Sequence, residues 1–92
     1  MKDILIDGHR ILTTDEIADA VITYAQLLLT HGQTDVVEFP SFHDGMPASC
    51  TILLGGSGTL AVVDAPMSLT DTSMGSERAC AEITRRSDAL AA

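Results

Sequence analysis

The spacing of apolar positions changes along the chain from a period of two, to a helical period, and back. Asp3 to Leu12, D-I-L-I-D-G-H-R-I-L, is two short apolar runs around Asp7-Gly8, and that dipeptide between β-prone runs predicts a hairpin. Thr13 to Gly32 then carries a strong helical period. Thr13 with Glu16 fits a capping box, Asp15, Glu16 and Asp19 put negative charge near the helix start, and Gly32 suits the left-handed residue that ends a helix. At about 100° per residue, the apolar side chains from Leu27 and Ala20 round to Leu29 and Ile22 cover an arc of roughly 220°. Only Asp15, Asp19, Thr23, Gln26 and Thr30 are left for water. An arc this wide predicts a helix packed against two surfaces: the sheet on one side, and on the other either the C-terminal helix or a partner subunit over Ala20, Tyr24 and Leu27.

Thr34 to Pro40 alternates as a strand, Val37 and Phe39 on one face and Val36 and Glu38 on the other. Ser41 to Ala48, with Asp44-Gly45 and Pro47, reads as a loop. Ser49 to Leu54 and Thr59 to Val63 are β-prone runs joined by Gly55-Gly56-Ser57-Gly58, a pattern that predicts a second hairpin. Asp64 to Leu69 is a connector, and Thr72 to Leu90 a C-terminal helix with a thin apolar stripe of Ala79, Ile83 and Leu90 that Ser87 interrupts. Glu82 and Arg86 form an i,i+4 pair on it. The expected fold is a single α+β domain over residues 1–92, in the order ββαβββα. An N-terminal β-hairpin and a three-stranded meander form a small antiparallel sheet packed on the long central helix, with the C-terminal helix beside it. From Thr13 to Leu90 the α-β-β-β-α order resembles that of double-stranded RNA-binding domains and of the small HicA-type toxin ribonucleases. Their basic RNA-contacting residues have no counterpart here, since only Arg78, Arg85 and Arg86 supply positive charge after residue 10.

Composition narrows the function classes. Thirteen acidic against five basic residues give a net charge of −8. That disfavours nucleic acid and anionic membranes, both of which are bound through Lys and Arg clusters. It leaves an acidic face for a basic protein partner as an option. Aromatics are scarce (Phe39, Phe42, Tyr24), so the core must be aliphatic. No run reaches the roughly 20 apolar residues of a membrane span, and Asp7 interrupts the opening apolar run before it becomes a signal sequence. These features, with Cys50 and Cys80 expected as free thiols, predict a cytoplasmic protein, and the Arg, Ala and Thr usage suggests a bacterial source.

Candidate chemistry is sparse. His43 beside Asp44 is the nearest approach to a general base with a carboxylate, and a small hydrolase or nuclease using that pair is one reading. His9, His31 and His43 lack H-x-x-x-H spacing, so no metal site is expected. The Gly55–Gly58 run leads into a strand rather than a helix and no Lys follows it, so it lacks the build of a phosphate loop. Cys50 and Cys80 have no cation placed to activate them. Phe42, Met46 and Pro47 form an apolar cluster on a polar loop that either folds back onto the sheet edge or, with His43, makes a contact patch, for which Ala20, Tyr24 and Leu27 are the other candidates. The leading expectation is a non-enzymatic interaction module that forms a homodimer and needs no cofactor. A third reading binds a small ligand between sheet and helices, with polar contacts from His9 or His31.

Overall fold

The computed structural model describes residues 1–56, 60–64 and 75–91. Its elements are β1 (Lys2–Ile6), β2 (His9–Thr13), α1 (Asp15–His31), β3 (Asp35–His43), β4 (Met46–Leu54), β5 (Leu60–Asp64) and α2 (Ser76–Ala91). The class is α+β: a five-stranded antiparallel sheet with two helices.

Both Asp-Gly dipeptides make tight hairpin turns, with φ of 49° and 81° at Asp7-Gly8 and 51° and 79° at Asp44-Gly45. These positive values suit the type I′ geometry that follows the twist of the strands. The first turn is as expected. The second overturns the reading of Ser41 to Ala48 as a loop, because the pairing runs without a break from Asp35↔Leu54 to His43↔Met46.

The expected meander does not form. The sheet order is β4-β3-β2-β1-β5, so β5 leaves β4 and pairs with β1, from Ile6↔Leu60 to Lys2↔Asp64. Gly55 explains the departure. It has φ +89° and lies so close to Gln33 that a Cβ would collide with the Gln33 carbonyl oxygen. The glycine lets the chain pass tightly by the end of α1 instead of reversing beside β4. Ser57 and Gly58 lie outside the described residues, as does the expected start of the last helix at Thr72.

Pro40 divides the sheet. A two-residue turn makes His43↔Met46 a hydrogen-bonded pair, so by alternation the backbone groups of Val36, Glu38, Pro40 and Phe42 point away from β4. Pro40 therefore withholds its donor from the β2 side. Bridging between β2 and β3 is limited to Leu12↔Phe42, and next to it the Thr13 hydroxyl donates to the Pro40 carbonyl at 2.8 Å. The result is two plates, β5-β1-β2 and β3-β4, joined along a short seam.

That bond also shifts the helix cap. With the Thr13 hydroxyl engaged, Thr14 is the N-cap, and its Oγ1 accepts from the Ile17 amide at 3.2 Å. The end of α1 is as expected, with Gly32 at φ 64° and the Gln33 amide bonded to the Leu28 carbonyl at 2.9 Å. The buried face of α1 (Ile17, Ala18, Val21, Tyr24 and Leu28) packs with Ile4 of β1, Val37 and Phe39 of β3, Leu54 of β4 and Ile83 of α2. The wide arc is thus shared between the sheet and α2. Ser87, read as a break in the α2 stripe, is buried with Ile83.

Candidate interaction surface

The alternation that splits the sheet also decides what β4 presents. Its even-numbered residues turn their backbone groups to β3; Pro47, Ser49, Thr51 and Leu53 turn theirs to the outside, where no further strand follows among the described residues. Pro47 fits there because its missing donor faces outward and removes no bond to β3. The strand is nine residues long and carries no charge, within a stretch that has none between Asp44 and Asp64. Most natural edge strands are short, charged or bulged, which blocks pairing with other chains. Beyond Pro47, β4 has none of these defences. Exposed large apolar side chains gather around it: Met46 is 67% exposed, Leu53 58%, and Val36, directly opposite Leu53 on β3, 52%.

The expected contact residues fall in different places. Phe42 and Pro47 are directly opposite on one face of the hairpin, while Met46 points to the other face, so the expected cluster is divided. His43 and Asp44 sit at the turn, 85% and 89% exposed with His43 Nε2 3.5 Å from Asp44 Oδ2. No third group orients them among the interactions of the described residues. On the helix flank, Tyr24 is 5% exposed, inside the core, and Ala20 and Leu27 are half-buried. Tyr24 shares the core with Ile83 of α2, and Ala20 packs against that core. His31 is exposed in the last turn of α1, and His9 is exposed at the start of β2. No three His, Cys, Asp or Glu side chains converge as a metal site among the described residues.

Tyr24 belongs to a polar brace. Its hydroxyl donates to Asp35 Oδ2 at 2.6 Å, and Arg86 Nη1 donates to the same oxygen and to the Val36 carbonyl, each at 3.0 Å. The Val36 amide donates to Asp35 Oδ1 at 2.8 Å. Val36 lies beyond the seam, on the side of β3 that β2 does not reach, so Asp35 and Arg86 satisfy the backbone groups that the ladder leaves over. Burial, then the Asp35 carboxylate, pushes the Tyr24 phenol up to about 12; the phenol's hydrogen bond in turn holds Asp35 below its ordinary range. The expected Glu82–Arg86 pair forms at 3.0 Å, and hydrogen bonds from Arg85 and then Arg86 bring Glu82 down to about 2.

Two further features carry groups from the candidate list. A cleft of about 710 Å³ opens where the plates are apart. Its walls are Ile6, His9 and Leu60 on one plate and Ile52 to Gly56 on the other, over Ile22, Ala25, Gln26 and Leu29 of α1. Cys50 and Cys80 are free and half-buried; burial raises the Cys50 thiol, and the Cys80 thiol donates to the Glu16 carbonyl at 3.7 Å.

The exposed edge was missed in the sequence because two prolines near Asp44-Gly45 suggested a loop. The signal that was present is the repeat of the same Asp-Gly dipeptide, followed by a charge-free run. No helix among the described residues is long and apolar enough to cross a membrane. No protein-family model, curated protein or solved structure matches this chain.

Proposed function

We propose that this protein is a non-enzymatic interaction module that acts by associating with a second copy of itself. The observation that carries the reading is a nine-residue uncharged outer strand with exposed apolar side chains at both ends, Met46 at the turn and Leu53 beside Val36 at the other, in a chain of net charge −8. A long edge strand with no charge is open to pairing with another chain, and an acidic chain approaches its own copy most easily through a neutral stretch. Of the helix flank, Tyr24 lies in the core of the chain itself, and the reading rests on the hairpin instead. A basic protein partner would use the acidic remainder of the surface, and a hydrolase would have to act through the exposed His43–Asp44 pair.

The cleft supports a second reading, binding of a small and largely apolar molecule. Its volume lies in the range of ligand pockets, with His9 and Gln26 as polar contacts on apolar walls. Native mass spectrometry over a concentration series tests both readings. The expected result is a dimer that grows with concentration. A chain that stays monomeric throughout removes the self-association reading, and mass retained on each subunit transfers the weight to the cleft.

A further inference from the structure

We infer that the second copy docks by antiparallel pairing of β4 with β4 across a two-fold axis at Cys50, joining the two sheets into one. The inference rests on the self-association reading and names its interface.

The strand itself sets the register. Met46–Leu54 has Cys50 at its midpoint, so the register that pairs the whole strand with its copy centres there. In that register Ser49 of each copy faces Thr51 of the other, and Pro47 faces Leu53. These are the residues whose backbone groups already point outward. Each Ser49–Thr51 pair exchanges two hydrogen bonds, and each Leu53 amide donates to a Pro47 carbonyl, about six bonds in all. Pro47, the one outward position with no donor, then costs the ladder only its own bond.

Side chains and charge agree with the backbone. On one face Leu53 meets Pro47 of the copy, and on the other Met46 meets Leu54 and Ala48 meets Ile52. The two most exposed apolar groups of the hairpin, Met46 and Leu53, thereby gain apolar neighbours. No charged side chain lies on either strand despite the net charge of −8, and Glu38 of β3, which reaches the strand from behind, accepts from the Thr51 hydroxyl at 3.3 Å. A second copy is the occupant that matches this edge, since uncharged apolar and hydroxyl positions fall opposite their own kind.

The two Cys50 residues form a non-hydrogen-bonded pair in this register, with Cα atoms about 4.5 Å apart, inside the disulfide range. Diamide treatment of a Cys80→Ser chain therefore tests the register directly: two thiols give up two electrons and two protons to the diamide and form one interchain disulfide. The expected result is a covalent dimer forming in proportion to the non-covalent one. Thr51→Pro tests the edge, because the lost amide points outward in the same phase as Pro47; within the hairpin it removes no backbone bond, only the exposed Thr51 hydroxyl's bond to Glu38 Oε2 at 3.3 Å. It should raise the dimer dissociation constant at least about tenfold. Leu29→Lys, off the strand, should leave it unchanged.

A wild-type dimer that persists in Thr51→Pro and gives no Cys50 disulfide overturns the β4 pairing and leaves self-association standing. A wild-type chain that is monomeric at every concentration overturns both. Should Thr51→Pro not fold, the disulfide result decides.

Discussion

Asp35 shows how much one residue can organise in a small domain. Its two oxygens serve the Tyr24 phenol, the Arg86 guanidinium and the Val36 amide, and so join α1, α2 and the start of β3. Tyr24 is the only tyrosine and there is no tryptophan, so its titration can be followed without interference in the tyrosinate absorption band. The midpoint should fall near pH 12 rather than the ordinary 10.0. A phenol whose pKa is raised by folding contributes stability that is complete below pH 10 and lost as the pH climbs through the folded value. Asp35 works in the opposite sense. Its folded pKa lies below the ordinary 3.8, so its contribution is present above that value and disappears as the pH falls through the folded one. Tyr24→Phe should return Asp35 toward its ordinary range and cost about 1–2 kcal/mol in urea unfolding, since a hydrogen bond to a carboxylate is lost at a partly exposed site. The Glu82–Arg86 half of the brace was readable in the sequence because four residues on a helix fix their own distance. Tyr24–Asp35 was not, because its spacing depends on where β3 starts after the helix has turned.

At the scale of elements, local chemistry was legible and pairing was not. Thr14 shows the boundary: a threonine cap was foreseen one residue early, because the hydroxyl of Thr13 is claimed by Pro40 from another strand. The two Asp-Gly dipeptides form the same turn, yet the second was hidden by Pro40 and Pro47. Both prolines occupy positions whose donors face away from the β3–β4 ladder, a phase that only the register reveals. The Gly55 run was taken for a hairpin because glycine signals both tight turns and close passages. Substitution separates the two roles. At Gly45 an added Cβ meets open space, so Gly45→Ala should cost only the positive φ, about 1–2 kcal/mol. At Gly55 the same strain is joined by a collision with the Gln33 carbonyl oxygen, so Gly55→Ala should cost clearly more in parallel urea titrations. Equal costs would mean that the passage beside Gln33 is loose.

For the whole molecule, the order of strands separates what is near in sequence from what closes late. Each hairpin joins neighbours, whereas β1 and β5 pair residues more than about fifty positions apart, which carries the larger loop-closure entropy. Val37→Ala in the β3–β4 hairpin should therefore slow refolding. Val62→Ala, opposite Ile4 in β5, should chiefly speed unfolding. Stopped-flow chevrons on dilute, monomeric chain distinguish the two, and a slower refolding limb for Val62→Ala would place β1–β5 closure in the transition state.

The short seam at Pro40 has a mechanical consequence. With one bridging pair and one side-chain bond linking the plates there, the cleft at their far end has no continuous ladder to fix its aperture. Ile22, Ala25 and Leu29 of α1 line that cleft between the plates. Side-chain volume at Ala25 thus acts on the opening directly, while each plate keeps its own hydrogen bonds.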